Sequence, residues 1–509
     1  MDLEASDLSH LLINNDPPNA FQRTCLKQGA EALIKEIEDL RRSNALDPAL
    51  EDLKCRLRQH KILLSPWRRI PLELISEILS HVELRPVLRW LERKELKWLC
   101  LVCKNWWHAA KLTHKFWSGL SFCFDPKDNL RWNLVADWFR RSGSAPRTLQ
   151  LQIMSHSYSN CDKAKNCLLA SSGLPELLAQ GPALTRFSIR AADARCVQSL
   201  LHAIEARKPK SKRCPWDSVT SLSISDSAGK WGEDASKFLS KGIPPTLTTL
   251  ALFLPSYPSD GAIPTFQVPK GPLSNLTTFH LQCHNWPRSF VIATLRNCPN
   301  VETLTLDLAG NLWECDGTTT SRNLSRAGIR LSNLKTLRLL HVHPDAATIL
   351  SALKVQVVSH LEVSFMPFQS YSDFDWESDS EDPDFNYHFV DQTFSKSLWK
   401  FLQDGRQNTL QYLRIHACLI QCEVFDKIWR IESLRHLCLD DAVYDYDRKE
   451  FPELWKMVPR PVPNLEILEL NDYQSEFIDL DGIEEVIRKR LDPPINLIFG
   501  HKRHDHCCC

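Results

Sequence analysis

LTTLAL (247–252), LTTFHL (276–281), VETLTL (301–306) and LKTLRL (334–339) are four copies of one short unit, apolar-x-x-apolar-x-apolar. In an extended chain successive side chains point to opposite faces, so the alternating apolar residues of each copy share one side and form the buried face of a short strand. The unit recurs as LTRFSI at 184, VTSLSI at 219, LQYLRI at 410, LRHLCL at 434 and LEILEL at 465, with weaker copies PRTLQL at 146 and VSHLEV at 358. A single hexapeptide of this form means little. Many copies separated by intervals mark a repeated supersecondary unit that cannot bury its apolar face alone. Turn residues precede several copies, as in CPN before Val301 and VPN before Leu465, so the strands are entered from loops.

From 184 to 334 the starts lie 35, 28, 29, 25 and 33 residues apart, longer and less regular than the ~20 to 29 of the usual leucine-rich repeat. The extra residues read as helices: VQSLLHAIEAR (197–207), FVIATLRNC (290–298), DAATILSALK (345–354) and SKSLWKFLQ (395–403) each place apolar residues three and four apart. Strand followed by helix, repeated, predicts an α/β leucine-rich-repeat solenoid, a parallel-stranded horseshoe with outer helices, over residues 123–500. Its outward positions are the second, third and fifth of each unit: Thr277, Thr278 and His280; Glu302, Thr303 and Thr305; Gln411, Tyr412 and Arg414. They mix polar, acidic and basic types and outline a protein-binding face without naming its target, and a solvated strand face would read the same.

Upstream the period changes from two to about 3.6. Ala30, Leu33, Ile37 and Leu40, then Leu50, Leu53, Leu57 and Leu64 after Asp47-Pro48, describe two amphipathic helices broken at the proline. They either pack on the next module or, through residues 30–64, form a short coiled coil that self-associates weakly. In LLSPWRRIPLELISEILSHVE, Pro71 suits a helix start, Glu73 and Glu77 complement its positive end, and Leu74, Ile75, Ile78, Leu79 and Val82 form an apolar stripe. WLCLVCKNWWHAAKL reads as a second helix with Leu99, Val102, Cys103, Trp106 and Ala110 on one face. So much apolar surface on so little chain needs a cover, either a partner protein or the downstream repeats.

These residues carry a resemblance. Leu64-x-Pro66-x-x-Arg69-Ile70-Pro71-x-Glu73-x-x-x-x-Ile78-Leu79, then Leu99-x-x-Val102-Cys103-x-x-Trp106 and Phe116-Trp117, resemble the F-box family, especially the F-box and leucine-rich proteins abundant in mushroom-forming fungi. The resemblance implies docking to the Skp-type adaptor of a cullin-based ubiquitin ligase, with Pro71, Ile78, Leu79, Leu99, Val102, Cys103 and Trp106 at or beneath the contact surface. Each of these taken singly also suits an ordinary helical core. The stretch Glu83 to Trp98, ELRPVLRWLERKELKW, departs from the family in length and leaves the relative placement of the two helices open.

The remaining organisation follows: residues 1–21 as a tail, 22–64 as the amphipathic helices, 65–122 as the F-box segment, and 501–509 as a His/Cys tail. Within the repeats, 369–388 breaks the pattern, with seven acids from Asp373 to Asp384, and reads as a solvated insertion; Ser378 and Ser380 are candidates for an acid-directed kinase.

Composition narrows the function. Lys plus Arg and Asp plus Glu are 62 each, so no net field draws the chain to nucleic acid or an anionic membrane. No apolar run reaches a membrane span, and the acidic N-terminus lacks a secretory pattern, which predicts residence in the cytoplasm, the nucleus or both. The 18 cysteines lie in apolar contexts such as Cys283, Cys298, Cys418 and Cys438 and read as buried thiols. No phosphate loop, dinucleotide turn, zinc-protease pair or serine elbow occurs, so no catalytic, cofactor or metal residue is assigned. Cys100-x-x-Cys103 lacks a second half-site, and the terminal HKRHDHCCC could bind metal or lipid or do nothing. The expectation is a non-catalytic receptor that joins an unknown protein target to a ligase; the alternative is a scaffold whose F-box helices only cap the repeats.

Overall fold

The computed structural model describes residues 5–14, 17–42, 48–82, 84–124, 130–153, 167–191, 194–209, 214–226, 242–255, 270–309, 328–342, 348–365, 396–402, 409–416, 430–440, 464–471 and 495–500, with a few isolated positions between them. It divides into two units, Met1–Cys123 with Arg131–Leu151, and Phe124–Leu130 with Gln152–Cys509. The acidic insertion, with Ser378 and Ser380, the His/Cys tail and Cys418 lie outside the described residues.

The first unit opens with helices α1 (Ala5–Asn14), α2 (Ala20–Arg42) and α3 (Pro48–Leu64). A reciprocal cap starts α2: Asn19 Oδ1 accepts the Gln22 N–H at 2.8 Å and Gln22 Oε1 accepts the Asn19 N–H at 2.9 Å. The apolar seams of α2 and α3 close on each other. Leu26 meets Leu63 at one end, and Leu33 and Ile37 meet Leu53 further along, which is the pairing of an antiparallel hairpin. The seams predicted from residues 30–64 therefore face each other within one chain, with Leu33, Ile37 and Leu53 buried and Leu40, Leu50 and Leu57 partly so. Residues 1–21 are not all tail either. Leu11 of α1 is buried beside Leu26 and Leu63, and Arg68 donates from Nη1 to the Leu11 carbonyl at 2.9 Å.

Three further helices follow: α4 (Leu72–Ser80), α5 (Trp90–Leu101) and α6 (Lys104–Leu112), with α6 packed on both α4 and α5. The single helix expected across 98–112 is two. Cys103 takes an extended backbone, φ −165° and ψ 173°, and starts α6, so Leu99 and Trp106 sit on different helices instead of sharing one face. Helix α5 begins at Trp90, inside the linker Glu83 to Trp98, and accounts for that linker's partly helical pattern. What remains of that linker is pinned to strand β1 (Gly119–Phe124). Leu88 N–H donates to the Gly119 carbonyl at 3.3 Å, and Ser121 N–H donates to the Leu88 carbonyl at 3.0 Å. The approach needs glycine, because a Cβ at 119 would stand 2.1 Å from the Pro86 carbonyl oxygen. Helix α7 (Trp132–Arg140) and strand β2 (Thr148–Ile153) complete the unit.

In the second unit every strong hexapeptide copy becomes a strand: β3 (Arg186–Ala191), β4 (Ser221–Asp226), β5 (Thr249–Leu254), β6 (Thr278–Cys283) and β7 (Thr303–Asp307). After the short β8 (Ile329–Leu331) come β9 (Thr336–Val342), β10 (Leu353–Val355) and β11 (His360–Phe365), then β12 (Tyr412–His416) and β13 (Leu419–Ile420). Last are β14 (His436–Asp440), β15 (Val443–Tyr444), β16 (Ile467–Asn471) and β17 (Asn496–Gly500). One parallel sheet runs β3-β4-β5-β6-β7-β9-β11-β12-β14-β16-β17. This is the α/β leucine-rich-repeat solenoid.

Its register is that of the hexapeptide. Leu250, Phe279, Leu304, Leu337, Leu361 and Leu413 lie side by side on neighbouring strands, all fully buried. One carbonyl per repeat fastens the next: the Thr248 oxygen accepts from Thr277 and Thr278, that of Thr277 from Glu302 and Thr303, and that of Glu302 from Lys335 and Thr336. The asparagines of the two Pro-Asn turns tie repeats together from the side chain. Asn300 donates to the Ser274 carbonyl and Asn464 to the Glu432 carbonyl, each at 2.7 Å.

The intervals are partly helical, as in α8 (Leu168–Ser171), α9 (Leu174–Gln180), α10 (Ala194–Arg207) and the helix Arg288–Arg296. One expected helix is different. Among the described residues of 345–354 the α-helix spans Ile349–Ala352, and Leu353–Val355 turns into β10, which pairs parallel with β8. Leu353 and Val355 bury as a strand pair what a longer helix would have buried, a tertiary override of the local pattern.

Candidate functional site

Two surfaces present chemistry, one in each unit. The first lies on α4, α5 and α6. An amphipathic helix of a small module turns one stripe inward and leaves the rest to solvent or a partner. In α4 the inward residues are Ile75 and Leu79, which join Leu96, Ala109, Ala110 and Trp117 in the core. Trp117 is fixed at its polar end by donating Nε1–H to the Ala110 carbonyl at 2.8 Å, and edge-to-face by Trp107 and Trp138. Ser76 and Thr113 join α4 to the end of α6 through their hydroxyls, 2.9 Å apart.

The apolar residues that stay outside are the informative ones. Ile78 is 43% exposed and Val102 59%, and Leu74 and Leu101 are exposed beside them in sequence. Of the seven residues singled out from the sequence, Pro71, Ile78 and Val102 are exposed, Leu99, Cys103 and Trp106 are half-buried, and Leu79 is fully buried. The predicted stripe on α4 therefore divides, with Ile75 and Leu79 in the core and Leu74 and Ile78 at the surface. Sequence reasoning passed over Leu101, Trp90, Leu91 and Trp98, all exposed on α5. Their signal was available: each falls outside the inward spacing set by Leu96. Basic side chains lie over two indole rings of the module, with Lys94 Nζ 5.0 Å from the Trp90 centroid on α5 and Lys111 Nζ 4.7 Å from that of Trp107 on α6.

Cys100 and Cys103 stand at the joint between α5 and α6. Burial raises the Cys100 thiol despite the nearby Arg141 charge, opposite to the lowered value of a reactive CxxC thiol. Among the described residues no group of three or more His, Cys, Asp or Glu side chains is placed to hold a metal, and no helix is long and apolar enough to cross a membrane.

The second surface is the outward face of the sheet in the solenoid. Its strand positions come into lateral rows. Thr278, Thr303, Thr336, His360, Tyr412 and His436 form one, and His280, Thr305, Arg338, Glu362, Arg414 and Cys438 the next. The rows are mostly threonine on β6 and β7, with His280 on β6, and aromatic and charged from β9 to β14. His360 stacks flat on Tyr412 at 4.0 Å and 4°, and Tyr412 meets His436 edge-on at 4.7 Å. Burial, and then the charge of Arg338, lowers the His360 pKa; burial pushes the Tyr412 hydroxyl up to about 12. At the strand ends Asp307 takes His284 Nε2 at 3.1 Å and His341 Nδ1 at 3.2 Å on one oxygen. Burial alone would raise that carboxyl, yet the two imidazoles outweigh it and hold it at about 2.

No protein-family profile matches the chain, and no curated protein is similar to it in sequence. Among solved structures it is similar to a chain of the Rad7 and Elc1 complex in yeast, at 14% identity over 81% of this chain and 98% of that one, with a TM-score of 0.32.

Proposed function

We propose that the chain is a non-catalytic, F-box-type receptor of a Skp–cullin–F-box ubiquitin ligase, in which α4 to α6 dock a Skp-type adaptor and the repeats hold a protein target. The observation that supports it is the apolar surface of the helical module. Leu74 and Ile78 on α4, with Leu101 and Val102 where α5 ends, are exposed while the stripe beside them is packed. Apolar side chains left in water lower solubility and gain nothing, unless a partner removes them from it. Two of them, Ile78 and Val102, fall on positions of the F-box resemblance, which is what singles out a Skp-type adaptor among possible partners. Leu79, Leu99, Cys103 and Trp106 act beneath that surface, by shaping the core that presents it.

Catalysis in this reading belongs to other subunits. The receptor raises the effective concentration of a target lysine near the loaded conjugating enzyme, a gain that follows from tethering alone. Residence in the cytoplasm or nucleus, where cullin ligases operate, belongs to the proposal.

The test is co-expression of the full chain with a Skp-type adaptor and a cullin, followed by purification through the receptor. Recovery of both subunits is expected. The scaffold alternative predicts a soluble, folded receptor recovered alone.

A further inference from the structure

The charged cluster on the sheet face has an uneven depth. Glu362 on β11 and Asp440 on β14 have side chains only 16% and 9% exposed, whereas Arg338 on β9 and Arg414 on β12 are 46% and 36% exposed. The acids form the floor and the arginines stand above it. Glu362 Oε2 takes Arg338 Nε at 3.1 Å, Glu362 Oε1 takes Arg414 Nη1 at 3.2 Å, and Asp440 takes Arg414 Nη2. A guanidinium carries five N–H donors. The pairs engage Arg338 through Nε alone, so among the described residues both of its terminal nitrogens stay uncommitted. The floor fixes the direction of each arginine, which removes much of the side-chain entropy a ligand contact would otherwise have to overcome.

We infer that the face formed by β9, β11, β12 and β14 recognises an extended acidic peptide, whose carboxylates meet Arg338 and Arg414 and whose backbone lies over the His360–Tyr412 stack. An approaching partner meets cationic heads first, since the acids lie below them; a basic partner would meet like charge. Spacing agrees. Arg338 and Arg414 sit in register on strands separated by one neighbour, β11, hence about 9.5 Å apart at ~4.8 Å per strand. In a peptide held in the extended polyproline II form, side chains three apart face the same way, about 9.3 Å apart at ~3.1 Å per residue. The flat stack of His360 and Tyr412 beside them supplies an aromatic floor of low conformational entropy. The inference deepens the receptor reading and rests on it in one respect, that the bound peptide belongs to the target.

The test uses the full chain and fluorescence anisotropy of a labelled (Glu-Ser-Gly)4 peptide, with (Gln-Ser-Gly)4 as its uncharged counterpart. The glutamate peptide is expected to bind, more weakly as salt rises, and the glutamine peptide not to. Arg338→Gln, at a half-exposed side chain, should weaken binding roughly tenfold, the loss of one charge-assisted contact. Lys335→Gln, on the flanking row and paired with Glu302 at 2.8 Å, should leave it unchanged. Equal binding of the two peptides, no binding of either, or an equal effect of both substitutions overturns the inference. Adaptor binding separates it from the receptor role. A chain that takes the acidic peptide but no adaptor keeps this surface and loses the ligase reading, and the converse result does the reverse.

Discussion

Ile78 and Leu79 share a peptide bond on α4 and face opposite environments: Leu79 is sealed in the core of the helical module, and Ile78 looks into solvent. Both belong to the F-box resemblance, so the pair separates what holds the module together from what it offers outward.

The first prediction follows from that pair. Leu79→Ala leaves a cavity and should lower stability by about 2–5 kcal/mol, while Ile78→Ala should stay within about 0.5 kcal/mol. Chemical denaturation of the two variants checks it. Comparable losses would place both side chains in the core.

A second prediction concerns the end of the solenoid strands, where Asp307 meets His284, His341 and, through charge, His280. The depressed Asp307 carboxyl contributes stability that is present above the ordinary carboxylate range and drains away as pH falls toward about 2. His341, raised by its hydrogen bond to Asp307, contributes stability that is complete below the ordinary imidazole range, ~6.5, and is lost as pH rises through its raised value. His280, lowered by burial, instead loses its part on acidification. Melting temperatures of wild type and Asp307→Asn across pH 4 to 9 should differ most at the acid end and converge as pH rises through the imidazole range. Parallel curves would refute the linkage.

The third prediction distinguishes the cysteines. Burial pushes the Cys298 and Cys438 thiols up to about 12 and raises Cys283 as well, whereas Cys55 and Cys123 are exposed. Iodoacetamide at pH 8 should label Cys55 and Cys123 in the native protein and reach Cys283, Cys298 and Cys438 only after unfolding, since the thiolate is the reactive form. Peptide mass spectrometry reads the order. Early labelling of Cys298 would contradict the packing of its repeat.

The strands were legible in the sequence because a period of two leaves little freedom: once Leu304 and Leu306 point inward, Thr303 and Thr305 must point outward. Intervals were less so. Nothing in LKV at 353–355 separates a helix end from a strand, and only its pairing with Ile329–Leu331 decides. The break between α5 and α6 was equally hidden, since Val102-Cys103 contains neither glycine nor proline and continues an apolar pattern. On α4 the stripe could be seen but not its division, because Ile75, Ile78 and Leu79 all fit a helical face and which of them meets a neighbour depends on where α6 packs. Depth on the sheet was invisible too. Arg338, Glu362 and Arg414 read alike as outward polar positions, and only the structure ranks them as head and floor.

The account depends most on whether the exposed edge of α4 and α5 binds an adaptor. Calorimetric titration of the full chain with a Skp-type adaptor, for wild type and for Ile78→Asp with Val102→Asp, tests this directly, circular dichroism confirming that both are folded. The account predicts binding by the wild type and a loss of about a hundredfold or more in the variant, the effect of removing two apolar anchors, at an unchanged melting temperature. Equal affinity of the two folded proteins, or no binding by the wild type, would contradict it.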